Sequence, residues 1–464
     1  MAKRSPYKDE DQKRRIERIV AVPKEQVRLA KAKRRQRIFD NGTIAAAVMI
    51  LGALLALVVA NTDAYQAVSN TMHQDMAFTV LGFRASFSFE YFVNDFLMAI
   101  FFLLVGIELK YEFSVGQLKN PRQALLPIIA ALGGVCVPAL IYVCFNVMQH
   151  TGELQGWAIP MATDIAFALG VISLLGERIS PATKVFFSTL AIADDIIAIV
   201  VIALFYGSSL QISWLLLALV FVLILFLLSK LQVYSCMPYI VVGLALWLCV
   251  FLSGVHATIA GVILACFLPA RSSIKVAELS DWMQARAGEL ADDYNGDKAV
   301  LSQHDFLEKI QDTNHIMHRV VPPLERVGSS IATPVHFVIL PLFAFVNAQV
   351  RFVGADLSVL LTSTVTLGAL LGAVLGKPIG IVASTMIAQK CGIARLPQGM
   401  NFVQLVGVGI LGGLGFTMSI LIATMAFSDP SLVIAAKVAI LLGSLITSFI
   451  GISFLVIATK RKRA

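Results

Sequence analysis

Runs of about 20 apolar residues recur from position 42 to position 459, and each is long enough to cross a ~30 Å hydrocarbon core. That recurrence limits the fold more than any other feature. A chain crossing a bilayer repeatedly must satisfy its backbone within each segment, which leaves helices or a closed barrel. Runs of this length read as helices. They fall at about 42–61, 91–113, 125–147, 157–176, 182–206, 212–229, 236–252, 255–270, 330–350, 361–388, 402–426 and 431–459, about twelve in all. Only 14% of residues are charged, against roughly 25% in soluble domains, so most of the chain is expected to sit where charge is rejected.

Charge at the segment ends sets an orientation. Residues 1–40 hold fourteen Lys and Arg against six acids, which accounts for the whole net charge of +8. A basic tail ahead of a span fixes topology and meets anionic lipid, so nucleic acid is not expected as a partner. With that tail inside, the inner loops carry Lys110, Lys119 and Arg122, then Arg178 and Lys184, Lys230, Arg271 through Arg326, Lys390 and Arg395, and finally Lys460 through Arg463. The opposite loops carry only Arg84 and Arg351. The alternation implies an even number of spans with both termini cytoplasmic. The expected organisation is a basic cytoplasmic tail over 1–40, spans one to eight over 41–270, a partly helical cytoplasmic loop over 271–328, and the remaining spans over 329–464. The basic start lacks the apolar core of a signal peptide. In the longest outer loop, FTVLGFRASFS (78–88) alternates around Gly82 and reads as a short hairpin. The six cysteines show no CxxC spacing and are expected to be small buried hydrophobes.

An ionisable residue inside a span costs roughly 2.5–3.5 kcal/mol on insertion scales and marks a functional position. The apolar runs contain Asp95, Glu108, Asp164, Asp194, Asp195 and Lys377. Asp194 and Asp195 adjoin in LAIADDIIAIV, about 100° apart on a helix. Two carboxylates this close in low dielectric repel, and one that titrates near neutrality can hold a cation or a proton but not both. Such competition is the minimum machinery of cation/proton exchange. Asp164 follows Pro160 and Thr163 in PMATDIAFALG, a pattern expected to unwind within the membrane and free oxygens for a hard cation. Lys377, beside Pro378 in VLGKPIGIVA, is too far from either end to snorkel and needs a buried aspartate. Gly407, Gly409 and Gly412 spell GxGxxG, but no strand precedes them and no acid follows at the dinucleotide-binding distance. Two readings remain, close helix packing or a second broken helix, and Gly412, Gly413 and Gly415 followed by Thr417 favour the break. The fourth and eleventh spans then run oppositely, and spans 3–5 and 10–12 become candidate inverted repeats with two discontinuous helices crossing at mid-membrane. Asp164 suits the positive half-helix N-termini there, and Lys377 the negative C-termini.

The segments NDFLMAIFFLLVGIELK (94–110), PMATDIAFALGV (160–171), AIADDIIAI (191–199), LPLFAFVNA (340–348), GKPIG (376–380) and GILGGLGFTMSI (409–420) resemble, in order, the NhaA family of bacterial sodium/proton antiporters. The resemblance covers about residues 40–460. It implies a polytopic inner-membrane protein that exports sodium, or lithium, in exchange for a larger number of protons by alternating access, with pH regulation and no cofactor. It implies Asp195 as ion-binding carboxylate, Asp194 beside it as partner of Lys377, and Thr163 with Asp164 at the unwound crossing. It further implies Glu108, Glu112 and Glu325 in the pH response, and a homodimer through the outer hairpin near 76–90. Arg326 stands where the family often has histidine, and Ser329 replaces another His-like position.

Two rival classes place two aspartates or an ion pathway in a membrane. An intramembrane aspartyl protease needs its aspartates on different helices facing one water, and no GxGD motif occurs. An ion channel would show a repeated filter, and none is present. Exchange that requires a counter-gradient separates carrier from channel.

Overall fold

The computed structural model describes residues 42–460 except 81–82, 151, 208–210, 273, 275 and 353–356. The tail expected over 1–40 lies outside the described residues. Among them the chain is helical apart from one antiparallel hairpin, β1 (Asp75–Val80) paired with β2 (Phe83–Ser88). The hairpin starts three residues before the segment expected from alternation. Among the described residues nine helices pass on length and hydropathy as spans, or ten if Phe402–Gly412 and Phe416–Ala426, bent by 41°, count as one. The two other expected spans are the apolar helices Cys236–Leu252 and Ile259–Phe267. At 1.5 Å per residue the second rises only about 14 Å, less than half a bilayer core.

The chain divides into two compact units. The first comprises the described residues up to Met98, Gln117–Tyr206 and those from Thr333 on. Its helices include α1 (Gly42–Ala60), α2 (Tyr65–His73), α3 (Pro121–Met148), α4 (Ile165–Leu174), α5 (Pro181–Phe205), α6 (Lys377–Lys390), α7 (Phe402–Gly412), α8 (Phe416–Ala426) and α9 (Pro430–Lys460). Within a bilayer the helices gain no hydrophobic drive from one another, so close backbone approach supplies the contact. Gly133 of α3 and Gly380 of α6 meet this way. A Cβ on Gly380 would lie 2.1 Å from Gly133 O, and one on Gly133 2.4 Å from Gly380 O. Phe187, Leu190, Ile381, Leu405 and Leu411 fill the core beside that contact.

The second unit holds Ala99–Gly116 and Gly207–Ala332. Leu225, Tyr239, Leu246 and Leu264 form its core. Lys110 Nζ donates to Cys266 O at 2.7 Å and Leu268 O at 2.6 Å, closing the carbonyl end of Ile259–Phe267 with a cation where the helix dipole favours one. Helices Val276–Asp293 and His304–Val320 pair through Lys309 and Asp293 at 2.5 Å and Arg286 and Asp312 at 3.7 Å. The Asp293 carboxylate raises the Lys309 pKa.

One expectation is corrected here. Cys249 is buried, but Cys136, Cys144, Cys266 and Cys391 are exposed and Cys236 is partly so. An apolar run in a membrane protein does not mean an inward face, because lipid is as apolar as the interior.

Candidate functional site

Thr163, Asp164, Asp194, Asp195 and Lys377 all belong to the first unit, and none is more than 2% exposed. Four polypeptide segments bring them together. The first is the broken fourth span. Its leading half is a 3-10 helix, Leu154–Met161, not the α-helix that the apolar run predicts. Pro160 has no N–H to continue a helical ladder, and Ala162 and Asp164 are extended. Asp164 then starts α4 as its N-cap, accepting from Phe167 N–H at 3.0 Å.

The second broken helix meets the first at its gap. Gly413 and Gly415 flank Leu414 between α7 and α8. Asp164 N–H donates to Leu414 O at 2.6 Å. A Cβ on Gly415 would lie 2.6 Å from Ala162 O, so glycine is what lets the two gaps touch. Asp164 Oδ2 accepts from Thr417 N–H at 3.1 Å and from the Thr417 hydroxyl at 2.7 Å. A single carboxylate thus serves the N-termini of α4 and α8, where unpaired N–H groups and helix dipoles favour negative charge.

The cation enters from α6. Lys377 Nζ stands 2.7 Å from Asp194 Oδ2 and also donates to Met161 O at the carbonyl end of the 3-10 helix. A π-turn over Gly372–Gly376 precedes it and accommodates Pro378, which lacks a ladder N–H. Asp194 Oδ2 also faces the Thr163 hydroxyl at 2.5 Å, and that hydroxyl lies 3.0 Å from Gly412 O. One hydroxyl hydrogen serves one acceptor at a time. The shorter contact assigns it to the carboxylate.

Asp194 and Asp195 sit on α5, which Ser180 caps and Pro181 opens. Asp194 Oδ1 is buried and has no hydrogen-bond donor among the described residues. Asp195 is 1% exposed on the next position of the helix. Among the described residues no three His, Cys, Asp or Glu side chains converge as a metal cage. A cation here would meet one or two carboxylates, with carbonyl, hydroxyl or water oxygens completing its shell.

Glu108, Glu112 and Glu325 belong to the second unit. Glu108 and Glu112 are partly buried one helical turn apart, and Glu325 is exposed in the first turn of Pro323–Pro334. Arg326 Nη1 donates to Tyr234 O at 3.3 Å. Among the buried polar residues of the first unit that the sequence reading did not single out are Lys437 and Gln404. Lys437, 9% exposed on α9, interrupts IAAKVAILL just as Lys377 interrupts its own run, and that signal was available. Gln404, 7% exposed, accepts from the Thr183 hydroxyl at 2.8 Å and joins α7 to the start of α5. Nothing local distinguishes it from a surface glutamine.

Residues 36–455 match the family described as Na+/H+ antiporter 1. The chain belongs to the NhaA family of sodium/proton antiporters. It is 42% identical over 421 residues to the Na+/H+ antiporter NhaA of Helicobacter pylori strain G27, covering 89% of this chain and 93% of the relative. It is 41% identical over 430 residues to the NhaA of Acidithiobacillus ferrooxidans, covering 92% and 98%. A solved structure of the sodium proton antiporter MjNhaP1 from Methanocaldococcus jannaschii aligns over 92% of this chain and 98% of that one, with 14% identity and a TM-score of 0.47. The NhaA motifs at 163–164, 194–195 and 376–378 are the residues that build the crossing.

Proposed function

We propose that this NhaA-family chain exchanges sodium for protons across a bacterial inner membrane, with Asp195 as the cation-binding carboxylate. The observation that carries this reading is the buried ion pair of Lys377 with Asp194 at the crossing, one residue from Asp195. The lysine neutralises one carboxylate and leaves the second to choose between a proton and a cation. Sodium arriving from the cytoplasm displaces protons from Asp195 and the groups coupled to it. The loaded repeats rock, the site opens outward, and protons arriving there displace sodium. The protons belong to the coupled cluster, not to a single residue. If more than one proton leaves per sodium, the cycle moves net charge and responds to membrane potential. Lithium, as hard and smaller than sodium, fits the same oxygen ligands.

Alternating access is supported by the two breaks, which meet where Asp164 N–H bonds Leu414 O and give each helix a point at which its halves can turn. Asp164 belongs to the hinge in this scheme, and Thr163 links that hinge to Asp194. Lipid is the partner of the outer surface, since only 11% of the apolar window in Ile212–Lys230 is buried. The β1–β2 hairpin pairs with no other described strand, and its open edges suit strand addition by a second copy. Glu108, Glu112 and Glu325 are assigned to pH response, and both termini to the cytoplasm.

The test is sodium-induced collapse of a preformed ΔpH in everted vesicles, wild type beside Asp195→Asn. Asparagine keeps size and removes charge. Loss of sodium-dependent proton movement with normal membrane abundance is expected. Retained pH-dependent sodium flux in that variant would overturn the assignment.

A further inference from the structure

Behind the crossing, a buried hydroxyl with no hydrogen-bond partner among the described residues and a carbonyl beside a proline line one cavity. In the π-turn before α6, Lys377 N–H bonds Gly372 O. The following carbonyl, Ala373, would in that register take its hydrogen from residue 378, and proline has none to give. Ala373 O is directed at the second helix break, because a Cβ on Gly413 would meet it at 2.5 Å. Across from it on α9, Ser444 is 7% exposed, and its Oγ has no hydrogen-bond partner among the described residues. Ala373, Gly413, Ser419 and Ser444 line one cavity of about 10 Å³, the size that holds a single water. Ser419 already donates its hydroxyl hydrogen to Ile159 O at 2.7 Å, which leaves its lone pairs to accept.

We propose that this cavity binds one ordered water molecule that ties α9 to α8 and to the π-turn before α6, beside the second helix break. The water accepts from the Ser444 hydroxyl and donates to Ala373 O and Ser419 Oγ. Three partners are what a buried water normally finds, and all three groups are then satisfied. The ligand is water and not a cation: none of Asp164, Asp194 and Asp195 lines the cavity, so a bare ion would bring uncompensated charge into an apolar surround. Ser444 is a positioning residue. Through the water it holds Ala373 O, which packs against Gly413, and Ser419 on α8, and so steadies the gap that receives Thr163 and Asp164. This site goes beyond the proposed exchange and stands whether or not sodium is the cargo.

The experiment is a structure of the full-length protein in lipid nanodiscs at a resolution that shows ordered water, for wild type, Ser444→Val and Ser444→Thr. Wild type should show one density peak within hydrogen-bond distance of Ala373 O and the Ser444 hydroxyl. The added methyl groups of Ser444→Val should expel it, and Ser444→Thr should keep it. Sodium-dependent exchange in vesicles should fall about 2- to 10-fold in Ser444→Val, the factor that one lost hydrogen bond represents, and recover in Ser444→Thr. An empty wild-type cavity overturns the proposal, as does a peak ringed by five or more oxygens at metal-ligand distance. Equal exchange in the Val and Thr variants overturns the positioning role. If Ser444→Val does not fold, the wild-type density decides alone, and that density does not depend on transport.

Discussion

Asp164 and Thr417 lie 253 positions apart in the chain, yet Thr417 gives Asp164 Oδ2 both its backbone N–H and its hydroxyl, at 3.1 and 2.7 Å. That pair joins the N-termini of two half-helices through a single carboxylate. Thr417→Val keeps the side-chain shape and the N–H but removes the hydroxyl donor. A hydrogen bond to a charged group contributes about 1.5–3 kcal/mol, so a lower unfolding temperature in detergent is expected. Exchange should weaken without being abolished. An unchanged midpoint would mean that the hydroxyl does not hold the crossing.

Lys377 and Asp194 are at most 1% exposed, so each depends on the other for charge compensation. Removing one partner of a buried pair costs about 3–5 kcal/mol, because the other charge stays behind. Lys377→Ala should therefore unfold at a markedly lower temperature. Lys377→Ala combined with Asp194→Ala should recover part of the loss. A double-mutant cycle with no coupling would contradict the ion pair.

The approach of α3 and α6 leaves no volume for a methyl group at Gly380, where a Cβ would sit 2.1 Å from a backbone oxygen. Gly380→Ala is expected to reduce the amount of folded protein recovered from membranes, by the 1–3 kcal/mol scale of overpacking, about. Gly42→Ala is the control, since a Cβ there meets nothing within 4 Å. Size-exclusion profiles of the two variants compare them directly.

Lys309 is held above the ordinary lysine value by hydrogen bonding to Asp293. A raised cationic pKa in the folded state means that the contact's contribution is complete below the unfolded value, about 10.4, and is lost as pH climbs through the folded one. Spin labels at Ala285 and Asn314 should therefore move apart only at strongly alkaline pH. Lys309→Met should remove that alkaline response. Separation already complete at neutral pH would exclude the ion pair as the clasp.

The spans were legible because the physics that places them is local. About twenty apolar residues cross a bilayer wherever they occur, and the segments at 42–61, 182–206, 212–229 and 431–459 coincide closely with helices. The buried charges were legible for a related reason: Asp164, Asp194, Asp195 and Lys377 each interrupt an apolar run. Lys437 also interrupts an apolar run, with no proline or second charge beside it to mark it further. The 3-10 form of Leu154–Met161 was not legible, because Pro160 predicts a break but not the helix type before it.

The amino-acid order by itself determined membrane spanning, the positions of the charges within the spans, and the family motifs that name NhaA. It could not determine partners. That Lys377 also reaches Met161 O, and that two N-termini share Asp164, depend on segments more than 200 positions apart meeting side by side. Only the tertiary structure decides that, because hydrogen bonds and ion pairs act over a few ångströms and carry no imprint in the local sequence.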